Sequence, residues 1–129
     1  MPRATFGKDR RLLKASEYKE VFESNAFRVA HPKYLLLVKP NDTGVSRLGL
    51  VVGKKNVPTA VGRNRVKRAV REIFRTTPLS EPLDIVFLAR KDAHKLSSVE
   101  MLALMQQSWA RLSARLKKDT QNKVNKDNA

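Results

Sequence analysis

The chain has 129 residues, 27 lysines and arginines against 12 acidic residues, a formal net charge of +15 and 41% apolar content. That length fits one domain around one modest core, and that charge draws the protein to polyanions such as nucleic acid or an anionic membrane while saying nothing about fold. The absence of cysteine excludes disulfides and thiolate metal sites, and with no signal-like start and no apolar run near the roughly 20 residues needed to span a bilayer, the expectation is a soluble cytoplasmic protein.

Residues 1–14 include Arg3, Lys8, Arg10, Arg11 and Lys14 and few core-forming side chains, so they read as a loosely held basic arm. Residues 15–116 carry the periodic patterns of a single domain. Ser16 is a candidate N-cap, with Glu17 and Glu20 placed where a helix dipole favours acids, and a short helix is expected from about Glu17 to Glu23. Tyr18, Val21 and Phe22 share one face of it. His31-Pro32 and Pro40 to Gly44 bracket the apolar run Tyr34 to Lys39, which reads as a buried strand; RLGLVVG, Arg47 to Gly53, reads as a second. The Asn41 to Gly44 turn predicts that these two pair as an antiparallel hairpin.

Asn56 and Pro58 give start signals for a helix to about Arg75. At 100° per residue Gly62, Val66, Ala69, Val70 and Ile73 fall on one stripe for packing, and Asn64, Arg68, Arg71 and Arg75 on the opposite one. DIVFLA, Asp84 to Ala89, is a further strand. Ser97 with Glu100 forms a capping box before a last helix whose seam is Leu102, Met105, Trp109, Leu112 and Leu116. Residues 117–129 hold no large apolar side chain except Val124 and read as a disordered polar tail. The order α-β-β-(β)-α-β-α, with one strand position left open, is that of an α+β domain.

The segment Lys54 to Arg75 packs eight basic residues against one glutamate into 22 positions, and so holds +7 of the chain's +15. A solvated charged face is the bland reading of such a segment. Three features weigh against it: acids at i+4 spacing are nearly absent, arginines outnumber lysines five to one between Arg63 and Arg75, and Asn64 adds an amide to the outward stripe. A planar guanidinium suits phosphate oxygens and stacks on bases better than an ammonium does. RNA or another nucleic acid is the partner this pattern points to. Tyr18 and Phe22 are either core or a stacking platform for unpaired bases. Trp109 reads as core. No catalytic side-chain constellation is visible: His31 and His94 stand in no motif, and no carboxylate pair, serine elbow or metal-ligand spacing accompanies them.

Arg11-Leu12-Leu13, Tyr18, Phe22, the run Arg47 to Asn56, the string Arg63-Asn64-Arg65-Val66-Lys67-Arg68, Arg71-Glu72, Asp84-Ile85-Val86 and Ala89-Arg90-Lys91 together resemble the protein subunit of bacterial ribonuclease P. The resemblance covers about Arg11 to Arg115. It implies a two-layer α+β sandwich of the ribosomal protein S5 domain 2-like kind, with a left-handed βαβ crossover through the basic helix, an exception to the usual hand. It implies a subunit of an endoribonuclease whose chemistry belongs to a catalytic RNA, with Mg2+ bound mainly by that RNA and its substrate, and with precursor tRNA as the second partner; no membrane or small-molecule substrate is implied. By the same resemblance Lys54, Lys55, Arg63, Asn64, Arg65, Lys67, Arg68 and Arg71 would contact the catalytic RNA. Tyr18, Phe22, Leu35, Leu37, Arg90 and Lys91 would line a cleft for the single-stranded 5′ leader. Leu37 stands where the family often has an aromatic, which leaves that part of the cleft to apolar contact from Leu35 and Leu37, and Tyr18 stands where Phe is frequent. A structural RNA-binding protein of ribosomal type is the alternative, and a DNA-binding module is weaker because arginines spread along a whole stripe favour phosphates over base edges.

Overall fold

The computed structural model describes residues 10–79 and 81–127, with side chains through residue 116. The elements are α1 (Ala15–Ser24), β1 (Phe27–His31), β2 (Tyr34–Pro40), β3 (Arg47–Val51), α2 (Ala60–Thr76), β4 (Leu83–Ala89), a 3-10 turn (Ala93–Lys95) and α3 (Ser98–Asp127). This is the expected α+β arrangement, with the open strand position filled by β1.

The sheet order is β1-β2-β4-β3, which corrects the expected pairing of β2 with β3. The hairpin is instead β1–β2, closed by the two residues Pro32 and Lys33 between the partners His31 and Tyr34. β4 runs antiparallel to β2 and parallel to β3. Its residues are buried almost without interruption, so it takes the central position where both faces are covered. The 41–46 loop therefore passes over the start of β4 rather than turning back tightly. It is fixed there by Asn41 N donating to the Pro82 carbonyl at 3.1 Å and Leu83 N donating to Ser46 Oγ at 3.1 Å. The parallel β3–α2–β4 unit places the basic helix between neighbouring strands, as the resemblance implies.

Alternation sorts the strand residues onto two faces. Tyr34, Leu36, Val38, Leu48, Ile85 and Phe87 face the large core with Val66, Val70, Ile73 and Phe74 of α2 and Met105, Trp109, Leu112 and Leu116 of α3. Phe74 and Trp109 meet edge-on, ring centres 6.5 Å apart, and the Tyr34 hydroxyl shares a 2.6 Å hydrogen bond with Ser108. Leu37 and Val86 face the other way, into a small cluster with Leu12 and Val21 under α1, against which Leu35, Val51, Leu88 and Tyr18 also pack.

Helix starts follow local chemistry. At α2 the cap is Thr59, whose Oγ1 accepts from Gly62 N at 3.0 Å, so neither Asn56 nor Pro58 starts the helix. At α1 the helix begins at Ala15, and Glu17 Oε1 rather than Ser16 satisfies the start, accepting from the backbone N–H groups of Leu13 and Lys14 at 2.8 Å each. The capping box of α3 forms as expected, Ser97 N donating to Glu100 Oε1 and Glu100 N to Ser97 Oγ, both at 3.0 Å.

The end of the basic arm is tied down. Arg11 bridges Leu48 in parallel, Leu12 N donates to the Leu48 carbonyl at 3.1 Å, and the Leu12 side chain is buried, so these residues cover the outer edge of β3. Residues 1–9 of the arm lie outside the described residues. The backbone of α3 is helical to Asp127, past the start of the tail expected at 117–129; the side chains of that tail lie outside the described ones, whereas the apolar seam stops at Leu116.

Candidate nucleic-acid interface

The basic segment begins where β3 ends. Asn56 sets the geometry of that point: its Nδ2 donates to the Ala89 carbonyl at the end of β4, 3.0 Å away, and its carbonyl accepts from Asp92 N at 3.1 Å. The loop carrying Lys54 and Lys55 is thus tied to the turn carrying Arg90 and Lys91, and the two basic loops stand together at one end of the sheet. Arg63 reaches back from the first turn of α2, its Nη1 donating to the carbonyls of Val57 and Pro58 at 3.0 Å each. Arg65 Nη2 donates to the His94 carbonyl and fastens the 3-10 turn to α2.

α2 buries Gly62, Val66, Ala69, Val70 and Ile73 as the periodicity predicts, together with Phe74. The other side is solvent. Asn64, Arg65, Arg68 and Arg71 are exposed and Arg63 and Lys67 are partly so. Among the described residues the side chains of Lys54, Lys55, Asn64, Lys67 and Arg68 make no hydrogen bond or ion pair. At the far end of the stripe Arg75 Nη2 sits 2.7 Å from both Glu72 oxygens. Arg75 is accordingly held above its usual pKa by that hydrogen bond first. Val61, 80% exposed at the first turn of α2, is an apolar side chain beside this surface that the charge pattern did not single out.

The second feature lies on the opposite face of the sheet. Ala15, Tyr18, Lys19, Phe22 and Glu23 of α1 enclose an open apolar depression with Val51 of β3. Val51 pairs with Leu88, Leu88 with Leu35 and Leu35 with Ala30, so one cross-strand row runs from that depression across the sheet. Phe22 is 42% exposed and stands over the α1 side. Tyr18 is half-buried, its ring against Gly49. Leu35 is partly open on the row, but Leu37 is only 3% exposed, packed under α1 with Val21; it supports the groove from beneath and offers no surface within it. Val51 and Leu88, absent from the sequence-based set, belong to its floor. Their runs are continuously apolar, so no alternation in sequence told which side chains face this way.

Arg90 and Lys91 follow β4 directly. Arg90 is partly committed, Nη1 donating to the His31 carbonyl at 3.1 Å and its backbone N to the Lys33 carbonyl at 2.9 Å. His31 stacks on Tyr34 with ring centres 4.7 Å apart, and its Nδ1 accepts from Lys33 N at 3.0 Å. Burial first, then Lys33 and Arg90, push its pKa down, which favours a neutral imidazole. No cluster of three or more His, Asp or Glu side chains suited to a metal ion occurs among the described residues. No helix among them is long and apolar enough to cross a membrane.

The sequence profile of the family described as Ribonuclease P matches residues 6–113. The chain belongs to the ribonuclease P protein family. A ribonuclease P protein component from Marinobacter nauticus is 38% identical over 120 residues, 93% of this chain and 91% of that one. One from a Marinomonas species is 44% identical over 115 residues, 88% and 86% of the two chains. Among solved structures, the ribonuclease P protein of Staphylococcus aureus superposes with a TM-score of 0.69 at 26% identity, covering 76% of this chain and 90% of that one. That of Thermotoga maritima gives 0.60 at 28%, covering 75% and 96%. The ribonuclease P match takes in the basic face of α2, the groove beside α1 and both loops joined by Asn56.

Proposed function

We propose that this chain is the protein component of a cytoplasmic ribonucleoprotein that removes the 5′ leader from precursor tRNA, and that it assists a catalytic RNA which carries the chemistry. The observation that carries this reading is that the side chains of Lys54, Lys55, Lys67 and Arg68, on and beside α2, have no partner among the described residues. Charges left facing one another without acids repel unless a polyanion neutralises them, and a large folded RNA supplies phosphates over just such a surface. Arg63 and Arg65 brace the loop and the turn on either side, so the uncommitted Lys54, Lys55, Lys67 and Arg68 are presented on a fixed scaffold. Asn64 adds an amide able to donate and accept.

Mg2+ is assigned to the catalytic RNA and its substrate, with this chain contributing positive charge through Lys54, Lys55, Lys67 and Arg68. Neutralising phosphate repulsion lowers the concentration of divalent cation at which the RNAs come together. The groove beside α1 is assigned to the leader: Phe22, Tyr18, Val51, Leu88 and Leu35 offer ring and aliphatic surface to unpaired bases, and the nearby Lys19, Arg90 and Lys91 offer charge to the backbone. Mature tRNA has no leader and forgoes these contacts, so product leaves more readily than substrate. Reconstitution with a cognate catalytic RNA and a leader-bearing substrate tests the reading. Stimulated leader removal at limiting magnesium is expected; no stimulation, as for a ribosomal-type RNA-binding protein, would overturn it.

A further inference from the structure

We propose that Arg47 is the positioning residue of the groove beside α1: it fastens the first turn of that helix to the sheet and so sets where Phe22 and Tyr18 stand over Val51 and Leu88. The inference rests on the reading of that groove as the leader site.

Arg47 shares its guanidinium between two carboxylates. Its Nε and Nη2 donate to Asp84 Oδ1 and Oδ2 at 2.8 and 2.7 Å, a bidentate pair between neighbouring strands. Its Nη1 donates to Glu17 Oε2 at 2.6 Å, reaching across to α1. The side chain is 20% exposed. In a chain of strongly basic surface this cation is spent on the protein itself, so it is not a phosphate contact.

Glu17 divides its carboxylate between two tasks. Oε1 takes the N–H groups of Leu13 and Lys14 and starts α1, while Oε2 takes Arg47. The same group that begins the helix therefore docks it. α1 is ten residues long and buries only Val21 completely, too short to hold itself and too little buried for packing alone to fix its angle. Along β3 the alternate residues Arg47, Gly49 and Val51 face α1 in turn. Arg47 clamps Glu17, Gly49 receives the ring of Tyr18, and Val51 meets Phe22 in the depression. Loosening the first of these contacts tilts the helix about its start, and displacement is greatest toward its other end, where Phe22 lies.

The geometry separates groove positioning from assembly, because Arg47 and Glu17 are on the face of the sheet away from α2. Glu17→Gln is the sharpest probe. Its Oε1 can still cap α1 and the Arg47–Asp84 pair survives, while the negative charge facing Arg47 disappears. Arg47→Lys retains charge but cannot make the bidentate fork. The full-length variants, the parent chain and Phe22→Ala would each be reconstituted with the catalytic RNA, and affinities for precursor and mature tRNA measured at fixed salt and magnesium. Glu17→Gln and Arg47→Lys are expected to lower the precursor-to-mature affinity ratio about fivefold, the loss of roughly one charge-assisted hydrogen bond's positioning effect. They should leave affinity for the catalytic RNA unchanged and speed amide exchange through α1. If Phe22→Ala lowers the ratio and neither Glu17→Gln nor Arg47→Lys does, Arg47 has no positioning role and the leader assignment stands. A ratio unmoved by all three removes the leader assignment and this proposal with it. Equal losses for precursor and mature tRNA in Glu17→Gln would make the ion network a general fold support, which also overturns the proposal.

Discussion

Tyr18 rests on Gly49 where no other residue would fit: a Cβ at position 49 would stand 2.5 Å from Tyr18 Cε1 and 3.0 Å from Leu12 Cδ1. Neither neighbour is a free end. Tyr18 belongs to a helix docked by Glu17, and Leu12 is buried beneath it. Gly49→Ala must therefore push α1 off the sheet, at about 1–3 kcal/mol for an overpacked contact. Urea unfolding is expected to show that loss. In the reconstituted particle, precursor affinity should fall while affinity for the catalytic RNA holds, since α2 packs on the other face.

Arg68 lies on exposed helix and has no partner among the described contacts. Removing it takes nothing from the fold, so Arg68→Ala should change stability by no more than about 0.5 kcal/mol. Its expected effects are weaker assembly with the catalytic RNA, a higher magnesium requirement for cleavage, and a salt slope of binding shallower by about 1. Measurement of affinity across a salt series checks all of this except the magnesium term, which a cleavage titration reads; unchanged cleavage at low magnesium would contradict the assignment.

What could be read from the sequence followed local rules. The buried stripe of α2 is a 3.6-residue pattern, the α3 capping box is a three-residue spacing, and both appear as expected. Strand pairing was not local. RLGLVV and DIVFLA are apolar on both faces, so neither register nor neighbour was encoded in their alternation, and the central place of β4 emerged only from burying its two faces at once. The groove follows the same rule: Leu37 lies buried under α1, while Val51 and Leu88 face the groove, and no alternation in these apolar runs distinguishes them. Arg47 reaches Glu17 and Asp84 across sequence separations of 30 and 37, a distance at which no spacing rule operates, and in the sequence it was simply one more basic residue.

Asn56 has the residue type of a helix cap, yet the cap of α2 is Thr59. Its side chain does not cap α2 but ties the Lys54–Lys55 loop to the end of β4 through Ala89. Asn56→Ala is expected to cost about 1 kcal/mol for the buried carbonyl left without its donor. Because the two basic loops are then joined here only by the backbone bond from Asp92 N to the Asn56 carbonyl, amide exchange at Asp92 should quicken before global unfolding. Denaturant titration and native-state exchange measure the two effects separately.

Acid should loosen α1 before the core fails. Glu17 is held below the usual carboxylate pKa chiefly by the backbone N–H of Lys14, then that of Leu13, with Arg47 adding to the effect. A carboxyl whose folded pKa is depressed binds fewer protons in the folded state than in the unfolded chain, so its stabilisation is complete above the unfolded value of about 4.3 and drains away as pH falls from there through the lower folded value. Glu100 is lowered by the same kind of bond, from Ser97 N, at the start of α3, yet α3 also buries Met105, Trp109 and Leu112 in the main core and should outlast it. Exchange rates for α1 amides, followed from pH 6 to pH 3, are expected to rise below about pH 4.5 ahead of those in α3. Glu17→Gln should flatten that rise, because a group that cannot titrate cannot carry the dependence. A rise of equal size in the variant would place the acid sensitivity on some other carboxyl and separate it from the docking of α1.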